Sequence, residues 1–159
     1  MVFPMEDIKL RKLTSADLDT VWRIHFQGNE DVALEEPLLA SPPNPGARAE
    51  FVDGTRDQLK EEDHLVAERS GQVVGWAHGY TMIEPDGSLI GYVSAVYVDR
   101  GARRSGIGSA LLTAVVKWLE EHKVERVQLL AAARSSARAL WLKRGFRPLF
   151  ETLVLERSE

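Results

Sequence analysis

At 159 residues, 44% of them hydrophobic, the chain has the length of one globular domain spanning residues 1–159 around a single core. Twenty Lys and Arg against twenty-four Asp and Glu leave a formal charge of −4, without the positive excess of a general nucleic-acid binder, so a small cationic partner fits better. With no cysteine, disulfides, a thiol nucleophile and zinc-thiolate sites are excluded, and His25, His64, His78 and His122 are too scattered to suggest a metal centre.

The opening Met1-Val2-Phe3-Pro4-Met5 is too short for a signal-peptide apolar region, and no later apolar run is long enough to span a bilayer; a soluble, cytoplasmic protein is expected. Ile8, Leu10 and Leu13, set among charged residues, predict a short opening strand. Thr14-Ser15-Ala16-Asp17 then reads as a capping signal for a helix with Leu18, Val21, Trp22 and His25 on one face. Gly28-Asn29 is expected to stop that helix. Glu30, Asp31, Glu35 and Glu36, followed by the Pro-rich stretch Ser41-Pro42-Pro43-Asn44-Pro45-Gly46, predict a loop inside the domain. A second helix is predicted from Ala47 to Lys60, with Phe51, Val52, Thr55 and Leu59 inward.

Strand chemistry follows from His64 to Met82. Leu65-Val66-Ala67 and Val73-Val74-Gly75-Trp76 flank Ser70-Gly71, the turn pair of an antiparallel hairpin, with Trp22 and Trp76 assigned to core packing. A turn at Pro85-Asp86-Gly87 leads into a strand from Ile90 to Val98, rich in β-branched and aromatic residues. Ile107, Leu111, Leu112, Val115 and Leu119 recur at helical spacing, predicting a helix to His122. Val127, Leu129 and Leu130 form the next strand; Ala137, Leu140 and Trp141 lie on a short helix ended by Gly145; Thr152 to Leu155 make a last strand. This order predicts an α/β (α+β) fold: a mixed sheet with helices on both faces, and a right-handed parallel crossover from Tyr92 through the Ile107 helix to Leu129.

The chemistry is concentrated where the strand ending at Val98 meets the helix starting at Ile107. Gly101, Gly106 and Gly108 occupy that turn, and the first amides of a helix lack internal partners while its dipole adds positive charge, so a phosphate is stabilised there. Gly106 and Gly108 keep side chains out of an oxygen's path, and Arg103 and Arg104 can add charge-assisted hydrogen bonds. A P-loop is excluded because Gly108 is followed by Ser109 and not by Lys with Ser or Thr. A dinucleotide fingerprint, and with it a nucleotide-dependent oxidoreductase, is disfavoured because Leu111 stands where its third small residue belongs.

Residues 98 to 112, Val-Asp-Arg-Gly-Ala-Arg-Arg-Ser-Gly-Ile-Gly-Ser-Ala-Leu-Leu, resemble the acetyl-coenzyme A motif of the GCN5-related N-acetyltransferase (GNAT) superfamily, with Arg103, Gly106 and Gly108 filling its pattern. Ala137, Trp141, Gly145 and Phe146 are similar to that family's later signature, and the resemblance runs from about Ile8 to Leu155. It implies a mostly antiparallel sheet of six to seven strands with a splayed central parallel pair. It also implies acetyl-coenzyme A as cosubstrate, held by Val96, Tyr97, Val98, Arg103, Arg104, Ser105, Gly106, Ile107, Gly108 and Ser109; no metal is expected, on the scattered histidines and missing cysteines alone. A bulge in the strand ending at Val98 and main-chain amides that polarise the thioester carbonyl are implied as well.

Two positions depart from the family pattern. Trp141 stands where a tyrosine often protonates the departing thiolate, and Arg134 replaces a common asparagine, beside Ser135 and Ser136, which can still cap the helix. A thiol titrates near pH ~8.5, so water can protonate the leaving group. An ammonium acceptor must lose a proton before attack. Tyr92, at the place of a glutamate in some relatives, is a candidate to orient a water, and His78 is a candidate base because imidazole titrates near pH ~6.5.

The reaction expected is acetyl transfer to a primary amine, on a small molecule or a protein, by direct attack and without a covalent enzyme intermediate. A non-catalytic acyl-coenzyme A sensing module is the rival. A homodimer is expected by analogy, and nucleic-acid and membrane partners are not.

Overall fold

The computed structural model describes residues 7–39, 46–59 and 63–158; the Pro-rich stretch up to Pro45, and Lys60, lie outside them. Strand β1 (Ile8–Lys12) leads through a 3-10 turn, Ser15–Asp17, into α1 (Leu18–Glu35). After a second 3-10 turn come α2 (Ala47–Gln58), β2 (Asp63–Arg69), β3 (Gln72–Ile83) and β4 (Leu89–Val98). The 3-10 turn Arg100–Ala102 precedes α3 (Ile107–Glu121), β5 (Arg126–Leu129) and α4 (Arg138–Arg144).

The five strands lie in the order β1-β2-β3-β4-β5, antiparallel except for the β4–β5 pair, which is joined through α3. Alternation along β2 and β3 assigns each face its helices. Ala67 and Ala77 pack with Ile107, Leu111, Leu112, Val115 and Leu119 of α3, while Val66 and Trp76 pack with Leu18, Val21 and Ile24 of α1 and with Phe51, Val52 and Leu59. Small residues let α3 close on the sheet: a Cβ at Gly79 would lie 2.6 Å from Val115, and one at Gly75 2.9 Å from Leu111.

Several sequence expectations are corrected. Gly28-Asn29 does not stop α1, which runs on to Glu35 and so carries Glu30, Asp31 and Glu35 on a helix instead of a loop. A helical glycine costs only about 1 kcal/mol, and here it leaves the space that Tyr97 fills: a Cβ at position 28 would lie 2.2 Å from a Tyr97 ring carbon. Gly28→Ala is therefore expected to lower stability by about 2 kcal/mol despite the helical preference of alanine, measured by denaturant unfolding; unchanged stability would mean that the Tyr97 ring has another place to go.

The strand expected over Thr152 to Leu155 is not formed. Leu153, Val154 and Leu155 are exposed in irregular chain, so among the described residues the sheet has five strands, not six to seven, and β5 lies at its edge. Leu130, also expected in a strand, falls beyond β5 and is exposed.

Candidate functional site

β4 is paired with β3 along its whole length but with β5 only from Ile90 to Val93. β5 ends at Leu129, opposite Val93, and the outer edge of β4 from Ser94 to Val98 has no paired strand among the described residues. A bulge lies at the same point: His78 pairs with Ala95 and Gly79 with Val93, leaving Ser94 as the extra residue. The bulge reverses the facing of the strand, so that Val93 packs with α3 whereas Ala95 and Tyr97 pack with the α1 face.

The turn after β4 is built by side chains. Asp99 accepts from the Gly101 amide at 3.1 Å and is held by Arg23 at 2.7 Å; Ser105 Oγ donates to the Ala102 carbonyl at 2.5 Å. Burial pushes the Asp99 carboxyl up, but hydrogen bonds from Arg23 and Gly101 outweigh it and hold the group ionised below the usual range. Arg104 (φ 60°) and Gly106 (φ 83°) both adopt the left-handed conformation, easy for glycine and costly for arginine. The first backbone bond of α3 runs from the Ala110 amide to the Gly106 carbonyl, and the amides of Gly106, Ile107, Gly108 and Ser109 have no partner among the described residues. They open beside the end of β4, where Gly108 lies against Val98. From Gly106 and Ser109 a groove of about 500 Å³ continues along α3 to Lys117, beside Leu10 of β1.

The three arginines of the turn differ. Arg103 is tied back, with Nε donating to the Val98 carbonyl at 2.9 Å and the guanidinium 2.6 Å from Asp31 of α1. Arg100 bridges Glu30 and Asp31. Burial pushes the Asp31 carboxyl up, yet hydrogen bonds from Arg103 and Arg100 prevail and keep it below the ordinary carboxylate range. Glu30 and Asp31 thus anchor α1 to the turn. Arg104 is exposed and has no ion-pair partner among the described residues.

On the α1 face a row of aromatic rings crosses the strands. His64 and His78 stack at 3.9 Å and 10°, Tyr80 follows at 5.8 Å, and Tyr92 stacks on Tyr80 at 5.5 Å. The Trp76 indole donates to His64 Nδ1 at 3.4 Å, and Trp76 is buried as core. Of the two candidate catalytic residues, His78 is bonded through Nδ1 to Ser94 Oγ, at the bulge. Tyr92 stands one ring away, its hydroxyl directed to Glu84 at 3.5 Å and receiving Gln128 at 3.2 Å. Sequence reasoning missed Ser94; one serine in a β-branched run carries no signal until the strand register is known. Trp141, at the position of the family tyrosine, packs against the α3 cluster, and Ser135 Oγ accepts from the Ala137 amide at 3.2 Å.

His64 has a consequence for acid stability. Burial first, and the neighbouring His78 second, lower it to about 3. In the unfolded chain an imidazole titrates near ~6.5, so below that pH the unfolded state binds a proton that the folded state refuses. Stability is accordingly lost as the pH falls from about 6.5 toward 3, by about 2 kcal/mol from this group at pH 5. Denaturant midpoints at pH 7 and pH 5 test this: His64→Gln should flatten the difference, and an unaltered difference would acquit His64.

Among the described residues no group of three or more His, Asp or Glu is arranged to hold a metal, and no helix is long and apolar enough to cross a membrane. Known folds resemble this one closely. A point mutant of the BH1408 protein from Bacillus halodurans superposes with a TM-score of 0.79 at 21% identity, covering 94% of this chain and 99% of that one. A predicted acetyltransferase from Clostridium acetobutylicum, solved with acetyl-CoA, gives 0.75 at 20% identity, covering 94% and 96%. The ribosomal-protein-alanine N-acetyltransferase of Brucella melitensis biovar Abortus 2308 gives 0.69 at 19%, covering 94% and 99%. No curated protein matches the sequence significantly. The sequence profile of the Acetyltransferase (GNAT) family matches residues 32–146, from the second half of α1 through the turn with its unpaired amides to Phe146 beyond α4, and the chain belongs to that family.

Proposed function

We propose that this chain transfers acetyl from acetyl-coenzyme A to a primary amine by direct attack on the thioester. The observation that carries the reading is a coincidence of place: the unpartnered amides of Gly106 to Ser109 lie at the far end of the β4 edge, Ser94 to Val98, that β5 leaves unpaired. The diphosphate is held at those amides, with Arg104 as the available guanidinium and Arg103 set by Asp31 and the Val98 carbonyl. The pantetheine arm runs along the open edge of β4 past Val98, Tyr97 and Val96. Backbone donors there stabilise negative charge on the thioester oxygen as the amine attacks.

The amine approaches from the α1 face, where His78 serves as the base and Tyr92, fixed by Glu84 and Gln128, borders the entrance. Water protonates the departing thiolate, since the indole of Trp141 has no proton acidic enough to give. The acceptor is a small amine or a protein amino group; the likeness to a ribosomal-protein-alanine N-acetyltransferase puts peptide N-termini in the panel to be tried.

The test is thiol release from acetyl-coenzyme A over a panel of alkylamines, arylalkylamines, amino acids, aminoglycosides and peptides. Release that depends on one class identifies the acceptor. Binding of coenzyme A with no release from any amine would overturn the enzyme reading and leave an acyl-coenzyme A sensor.

A further inference from the structure

How the acceptor loses its proton is a question that rests on the acetyl-transfer reading above. His78 is only 8% exposed, and its ring is covered by the stacked His64 ring on one side and approached by Tyr80 along the row. A base so enclosed cannot meet an amine arriving from solvent. Its Nδ1 is nevertheless hydrogen-bonded to Ser94 Oγ, and Ser94 is exposed. The bulge makes this possible: Ser94 is the extra residue between Val93 and Ala95, and it begins the stretch of β4 that β5 no longer covers. The His78 carbonyl, 3.4 Å away, is the other acceptor open to the one hydroxyl proton, but Nδ1 is the nearer of the two. One hydroxyl, on an exposed residue, thus joins the buried imidazole to the stretch of β4 that β5 leaves unpaired.

We propose that Ser94 is a catalytic residue that relays the acceptor's proton to His78. The ammonium acceptor gives a proton to Ser94 Oγ while the proton already on Oγ passes to Nδ1 of His78, the free amine then attacks, and the second nitrogen proton leaves to water. The nitrogen lone pair forms the bond to the thioester carbonyl carbon. The C–S bond breaks with its electron pair on sulfur, water protonates the thiolate, and the imidazolium returns its proton to solvent through the same hydroxyl. No covalent bond to Ser94 is formed. His64, fixed by the Trp76 indole, stays neutral, so the stacked pair carries a single positive charge at most.

The experiment compares the unmodified protein with Ser94→Ala, Ser94→Thr, His78→Gln and the Ser94→Ala/His78→Gln double variant. The probe acceptor is n-butylamine at high concentration, with the panel above behind it. Ser94→Ala should lower kcat by about 100-fold with the Kd for acetyl-coenzyme A by calorimetry unchanged, and Ser94→Thr should recover most of the loss. The double variant should be no slower than the slower single variant, a non-additivity that a packing role would not give. Independently of turnover, the 15N resonance of His78 Nδ1 should move in Ser94→Ala.

Full activity in Ser94→Ala, additive losses, an unmoved His78 resonance, or an acetyl group on Ser94 by mass spectrometry would each overturn the relay while leaving acetyl transfer standing. No thiol release by the unmodified protein with any amine would overturn acetyl transfer itself, and the relay with it.

Discussion

Gly108→Ala is expected to weaken acetyl-coenzyme A binding by roughly 10- to 100-fold while leaving the protein at least as stable as before. The two halves of this expectation have separate causes. A Cβ at position 108 would meet only Val98 at 3.6 Å and Leu140 at 3.8 Å, ordinary contact distances, so the fold accepts it. Alanine is also the better helix former, by up to about 1 kcal/mol. The same methyl stands beside the unpartnered amides at the mouth of α3 and keeps a phosphate oxygen from approaching them. Calorimetric titration and thermal unfolding of one sample separate the two effects. Equal loss of both would mean that Gly108 serves packing, and retained affinity would remove it from the cradle.

The other large effect is expected at His78. Substitution by glutamine, close to histidine in size, should lower kcat by about 100-fold or more with little change in the affinity for acetyl-coenzyme A, because a base acts on the amine and not on the cosubstrate. A loss confined to the amine KM would reassign His78 to acceptor binding. The ring row matters to the choice of variant: His78 stacks on His64 and lies beside Tyr80, so truncation to alanine would open a hole as well as remove the base.

What was legible in the sequence had its cause nearby. The stripe of Ile107, Leu111, Leu112, Val115 and Leu119 specifies α3 from within its own turns, and all five residues are buried. Ser70-Gly71 makes the β2–β3 hairpin because both residues take the positive φ that a tight turn needs. The strand, turn and helix around Gly106 could be placed for the same local reason.

What was missed depends on partners distant in the chain. Gly28 reads as a helix stop because the reason for its small size, the Tyr97 ring, comes from another strand. Glu30 and Asp31 read as part of a loop, yet they lie on α1 and hold Arg100 and Arg103. Thr152 to Leu155 have the chemistry of a strand, but a strand also requires a neighbour, and β5 pairs only with β4. Ser94 becomes notable only when the registers of β3 and β4 fail to match by one residue.

The central claim is that the amides at the start of α3 receive the diphosphate of acetyl-coenzyme A, and a crystal structure of the complex tests it most directly. Diphosphate oxygens are expected within hydrogen-bonding distance of the Gly106 to Ser109 amides, with the Arg104 guanidinium turned toward them. A diphosphate lodged elsewhere, with those amides left to water, would contradict it.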